Sequence, residues 1–349
     1  MKQHERELLI FKIRSGNTHI NIENQKFIVK PPTIDQCIEA CEIYDESYKQ
    51  AYIDEIMSED EMLEWMFEQD LWTPHDDKKI ESIKKDIEKL KVEIYNARND
   101  KKKASQIRLY IRAIEKQLIN YVNKKNSYMQ NTREGIATAD KISWLIKNTT
   151  YKDNILYDFA QVSLSYIIDE WQSSFLADSI SRDLARNEPW KSLWTIRDNA
   201  KIKLFMNEEN SELTYNQKNL IIWSQMYDNI QESMDCPSKD VIEDDDMLDG
   251  WFIIQAQKRE KENAEKEVDG LVKNEKIKNA SEVFVVAQSD EHAEQINKAN
   301  SVHSMMIKKQ RENFIKQAGI VQDHNLPDQR LQIQMDQTNA FRNKVRGGR

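Results

Sequence analysis

The sequence predicts a mainly α protein: a helical body, a protruding antiparallel coiled-coil hairpin and a small N-terminal β-meander. Three observations carry that prediction. Only seven glycines and six prolines occur in 349 residues, too few for the turns of an all-β fold. Two heptad seams flank a polar interruption: Ile80, Ile83, Ile87, Leu90 and Ile94, then Ile107, Ile111, Ile114, Leu118 and Tyr121. Capping boxes also recur, as Thr33 with Gln36 and Ser58 with Glu61.

Residues 8–30 alternate apolar and polar, with Ile20 and Ile22 on one face, as are Phe27 and Val29, and turn residues at Ser15-Gly16-Asn17 and Glu23-Asn24. This is the β-meander. Pro31-Pro32 ends it, and Thr33 opens a helix whose stripe is Ile34, Cys37, Ile38, Cys41, Tyr44, Tyr48 and Tyr52. Cys37 and Cys41 are expected there as small core residues. A short helix after Ser58 carries Met62, Trp65, Met66 and Phe67, and Trp72-Thr73-Pro74 closes it.

The hairpin follows over 78–125. Its tip is expected near 97–104, and each arm is ~30 Å long at ~1.5 Å per residue. From Thr132 to about Leu271 the chain reads as stacked helices. Residues 153–187 form one long helix or two, with Phe159, Val162, Tyr166, Trp171, Phe175, Ile180 and Leu184 as core. A helix begins at Pro189 with Trp190, Leu193 and Trp194, and another covers 214–234. "SEVFVVAQS" (281–289) predicts a strand, helices follow at 290–299 and 302–318, and a loosely held polar tail comes after Gly319. The expected domains are 1–75 (β-hairpin plus helices), 76–128 (coiled-coil hairpin), 129–273 (helical) and 274–349 (a small α/β segment with the tail).

The stretch "VIEDDDMLDGWF", Val241–Phe252, raises the question of a metal loop. With Gly250 at position six of a calcium loop, position twelve falls on Ala256, where a bidentate carboxylate is required. A helix start is expected instead, with Asp244, Asp245 and Asp246 at the positive end of the dipole.

Reaction chemistry finds little support. No glycine pattern cradles a phosphate, and no G-x-S-x-G elbow occurs. His4, His19, His75, His292, His303 and His324 show no ligand spacing. Cys236, beside Pro237, has no sequence-local group to activate its thiol. The expectation is therefore no enzyme, no cofactor and no metal. Three sparse cysteines fit a reducing compartment, and no apolar run suits a signal peptide or a membrane span, so a soluble cytoplasmic protein is expected.

Charge is the strongest asymmetry. Residues 78–125 hold fifteen Lys and Arg against six Asp and Glu, a net of +9. The whole chain carries −9, which leaves −18 for the rest. Residues 207–249 alone contain twelve acids and two lysines. The candidate interaction residues are Arg98, Lys101, Lys102, Lys103 and Arg108 at the hairpin tip, where no aromatic residue is interleaved for base stacking.

The stretches "EWQSSFLADSISRDLARNEPWKSLWTIRD" and "DDDMLDGWF" give the chain a resemblance to the helical, Trp-bearing structural and assembly proteins of tailed bacteriophages. The likeness covers roughly residues 20–340: a short β start, W-T-P before a coiled-coil hairpin, helices with Trp pairs and a polar tail. It implies a virion component or an assembly factor such as a tail assembly chaperone, found in the host cytoplasm or the particle. Its partners would be other structural or assembly proteins, copies of itself included, and no membrane. No functional residue is carried over from it. The competing expectation is a nucleic-acid-associated regulator that uses the basic tip.

Overall fold

The computed structural model describes residues 1–273, apart from 23, 201, 208 and 209. The expected strand at 281–289, the helices and tail after it, and thus the whole 274–349 domain lie outside the described residues. The chain divides into two compact units between Trp251 and Phe252. The hairpin and the helices on either side of it, to Trp251, therefore belong to one unit.

Mainly helical architecture is what the described residues form, with a small antiparallel sheet. Helix α1, Gln3–Ser15, replaces the first expected strand. Ile10 and Ile13, three residues apart, face inward, Glu5 accepts the Lys2 N–H, and Gly16 stops the helix at φ 71°. An apolar run this dense fits both periods, and the helix wins because both of its ends are capped. Gly16 also admits Asn207, whose Oδ1 would lie 2.0 Å from a Cβ there. Asn207 bonds Gln217, and the Gln217 amide donates to the Ile13 carbonyl at 2.9 Å, so α1 ends against the start of α10 described below.

Strands β1 (Thr18–Ile22) and β2 (Gln25–Val29) are paired as the alternation predicts, with Ile20, Ile22, Phe27 and Val29 buried. Helix α2 (Ile34–Ile53) and α3 (Glu59–Glu68) begin at their two capping boxes. The buried face of α2 is not the expected stripe. Ile34, Ile38, Cys41 and Tyr52 are exposed, Cys37 is half-buried, and Ala40 and Ala51 are the buried residues. Helix α2 packs on α6, where Ala137 is buried, and small residues let two backbones approach closely.

Helices α4 (Pro74–Asn96) and α5 (Lys101–Asn126) form the antiparallel hairpin. Ile80, Ile83, Ile94, Ile107 and Ile111 are buried along its seam, as the heptads require. Thr73 caps α4 with Asp76, and Asp100 caps α5. At the base, Met66, Trp72 and Ile80 pack with Leu118, Tyr121 and Val122.

Helix α6 (Arg133–Thr149) runs directly into β3 (Thr150–Lys152) and β4 (Ile155–Leu156). These strands were not expected, because two or three residues leave no periodic signal; the turn residues Asp153 and Asn154, both at positive φ, were the available cue. The sheet order is β1-β2-β3-β4, and its inner face buries Ile146, Tyr157, Val162 and Ile167 with the strand residues. The 153–187 stretch thus holds a strand and two helices, α7 (Leu164–Ser173) and α8 (Asp178–Arg186), with Tyr166 and Phe175 exposed. Then come α9 (Trp190–Ala200), α10 (Tyr215–Glu232), α11 (Lys239–Glu243) and α12 (Asp245–Lys273).

Seam and outer face should respond differently to truncation. Ile111→Ala is expected to lower stability by about 2–5 kcal/mol and Leu109→Ala by under about 0.5 kcal/mol, measured by denaturant unfolding.

The Thr73 hydroxyl donates to Asp76 at 2.8 Å and, with the Thr73 N–H, holds that carboxyl below its usual range. The resulting stability is complete above the ordinary carboxylate pKa and is lost as pH falls through the lowered value. Thr73→Ala should therefore lower the Tm at neutral pH and shrink its fall on acidification, followed by thermal melts.

Candidate functional site: the basic hairpin and its acidic socket

The acidic stretch is a helix start. Asp244 accepts the Met247 N–H at 3.1 Å, and Asp245 and Asp246 occupy the first turn of α12. That position favours carboxylates, since the first-turn N–H groups carry the positive end of the dipole.

Each carboxylate also meets a cation from another helix. Asp244 and Asp246 share Arg108 of α5, whose Nε lies 3.1 Å from Asp246 and whose Nη2 contacts Asp244. Arg112, one turn on, reaches Asp246 at 3.4 Å. Asp245 takes Arg186 of α8 at 2.7 Å. Asp249 bridges Arg182 of α8 at 2.7 Å and Lys91 of α4 at 2.6 Å. Four acids thus hold five cations from three helices.

The start of α12 is seated against α4 at backbone distance. A Cβ on Gly250 would lie 2.1 Å from the Lys91 carbonyl oxygen, so glycine is needed for that approach rather than for a calcium loop. Met247 adds an apolar contact to the seam cluster of Ile94, Ala97, Ile107 and Ile111. The hairpin is therefore braced near its tip and does not protrude freely over its whole length.

Two guanidiniums of the cluster and a neighbouring hydroxyl are held in their ordinary protonated states. Burial works against the charged Arg182 guanidinium, yet Asp249, Asp178 and Asp245 outweigh it and hold its pKa above the usual value. Arg186 is raised likewise, against burial, by Tyr227 and Asp245, while burial pushes the Tyr227 hydroxyl up. Such groups keep their charge or their proton through the neutral range and have no proton to exchange in acid–base chemistry. Arg182 also lies over the Trp223 ring at 3.9 Å. Among the described residues, no group of three or more His, Cys, Asp or Glu side chains is arranged to hold a metal.

The five tip residues divide. Arg108 is committed to Asp244 and Asp246 and differs from the expectation of a cation offered outward. Arg98 lies over Tyr95 at 4.9 Å and donates to its carbonyl. Lys101, Lys102 and Lys103 are exposed in the first turn of α5 and make no ion pair among the described residues. Aromatic residues are closer than the sequence suggested: Tyr95 sits under Arg98, and Tyr110 is exposed on α5.

The sequence offered a signal for the socket that single motifs hid. Arg108 and Arg112, Arg182 and Arg186, and Asp245 and Asp249 are each four apart, so each pair shares one helix face.

An apolar cleft of about 560 Å³, walled by Ile13, Ile142, Leu145, Trp171, Phe175 and Tyr215, has the size of a small-molecule site. Several of its polar groups are already engaged: Thr149 donates to Leu145, Asn216 bonds Leu176 and Ser174, and Lys218 pairs with Glu212.

No family model, curated protein or solved structure matches the chain.

Asp249→Asn leaves Arg182, with 10 % side-chain exposure, and Lys91 short of a carboxylate. Stability should fall by roughly 2–4 kcal/mol, against under about 1 kcal/mol for Asp86→Asn in its exposed pair with Lys89. Denaturant unfolding of both variants checks this. Calcium titration by calorimetry should show no stoichiometric site, since the four carboxylates already hold guanidinium and ammonium groups.

Proposed function

We propose that the chain is a non-enzymatic structural or assembly protein that works through protein–protein contacts, of the kind that builds tailed-phage particles. The observation that carries this reading is the division of charge on the hairpin. Its inner cations are bound by the acidic socket, and Lys101, Lys102 and Lys103 are left exposed on a braced arm. A rigid arm with a small basic end suits repeated docking onto an acidic protein surface, because little conformational freedom is lost on binding. The resemblance to phage assembly proteins points the same way.

A regulator that holds nucleic acid is the second reading, favoured by Tyr95 and Tyr110 near the basic end. The two readings part in a titration with duplex DNA and single-stranded RNA at about 50 and 200 mM salt. Under the assembly reading binding is negligible at both, and neutralising Lys101, Lys102 and Lys103 changes nothing. Sub-micromolar binding with a steep salt slope, lost in that triple variant, would put the regulator first. Arg108 is left intact, since replacing it would open the socket. Mass spectrometry of purified particles against infected-cell lysate then tells a virion part from a transient factor.

A further inference from the structure

A second surface complements the tip. The turn after α2 and one face of α3 enclose an open groove of about 770 Å³, lined by Tyr52, Ile53, Met57 and Trp65 and by Glu55, Glu61, Glu64 and Glu68. Glu61, Glu64 and Glu68 recur at three and four residues along α3, so they share a face with Trp65. Arg133 answers Glu61 at 2.8 Å. Glu55, Glu64 and Glu68 are exposed and make no ion pair among the described residues. Tyr52 and Ile53 are 64 % and 69 % exposed. An acidic rim around apolar side chains fits a basic, partly apolar partner.

This chain carries such a partner surface. Three unpaired lysines stand in the first turn of α5, and Leu109 and Tyr110 follow, 72 % and 66 % exposed. Three free cations and an apolar pair thus match three free carboxylates and an apolar floor. The two surfaces of one molecule cannot meet. Trp65 packs with Tyr128 at the hairpin base, whereas the lysines stand at the tip. The 23 residues of α4 put ~35 Å between them at ~1.5 Å per residue.

We infer that the hairpin tip of one copy docks in the acidic groove of a second copy, Lys101, Lys102 and Lys103 against Glu55, Glu64 and Glu68. Tip and groove lie at opposite ends of the same arm. Two copies laid antiparallel therefore make both contacts at once and close as a two-fold pair. The inference rests on the assembly reading and names its partner.

Sedimentation of the full chain tests it. The parent should associate toward two copies at about 50 mM salt and come apart at about 500 mM, where screening reaches within a few ångström. Lys101→Glu, Lys102→Glu and Lys103→Glu together should weaken association at least about tenfold, as should Glu64→Lys with Glu68→Lys. Both sets are gentle on folding: acids suit the first turn of α5, and Glu64 and Glu68 are exposed on α3 near its C-terminal end. The variant that carries all five changes should recover association in part, because two of the three charge pairs are exchanged across the contact and only Glu55 still faces an acid. A parent that stays monomeric to about 1 mM, where any contact is worth under about 4 kcal/mol, overturns the inference. So does association indifferent to the tip, or a five-fold variant as weak as its parts. A monomeric parent with negligible nucleic-acid binding removes the second copy as partner and leaves the assembly reading standing; tight nucleic-acid binding removes that reading itself.

Discussion

The start of α12 is where that helix is locked to α4, α5 and α8, and the ion pairs there govern how the rest of the helical unit presents itself. Asp244, Asp245, Asp246 and Asp249 would repel one another if left alone at a half-buried site. Arg108, Arg112, Arg182, Arg186 and Lys91 would do the same from the other side. Each set is tolerable only because the other is present. Removing ions from water is expensive, so such a cluster contributes modest net stability for the number of its bonds. What it does fix is geometry. Guanidinium and carboxylate pair in a few orientations, and Gly250 sets α12 at backbone distance from Lys91. Alternative dockings of α12 would strand charges, and that penalty makes the observed one specific.

The hairpin is held by two different kinds of force at its two ends. At the base, Trp72 is wholly buried among Met66, Ile80 and Tyr121, with the Lys124 and Lys125 ammoniums over its ring. Burial of that kind is non-directional and persists in salt. Toward the tip the bracing is mainly ionic, with Met247 as its apolar component. Added salt weakens the exposed members of that bracing first. The arm is therefore anchored by packing and aimed by charge.

The parts of this fold that were legible in the sequence are those with long repeats or local chemistry. The Ile80–Ile94 and Ile107–Tyr121 seams declare themselves because a heptad runs through several turns. The Thr33 and Ser58 caps do so because the partner is three residues away. Besides the short strands β3 and β4, three features were hidden for separate reasons. The run Leu8 to Ile13 is so apolar that periods of two and 3.6 fit equally. The buried face of α2 is made of alanines, which a search for large side chains passes over. The socket joins residues 91, 108, 112, 182, 186 and 244–249, and no local window contains both signs of the charge.

That last point changes what a charge count means. The +9 of residues 78–125 suggests an arm bristling with free cations. Folding engages Lys91 and Arg108 in the socket, Arg112 joins it from the exposed side, and Lys125 pairs with Asp77 at the base. The same event pairs four of the twelve acids of residues 207–249 with cations. At a Debye length of ~8 Å, a partner senses the charges at the point of contact and little of those an arm's length away. Among the hairpin cations that folding leaves exposed, Lys101, Lys102 and Lys103 are the ones grouped at the end of the braced arm. Arg108 and Lys103 lie five residues apart in one helix, yet the first is held by the acidic socket and the second stands exposed in solvent.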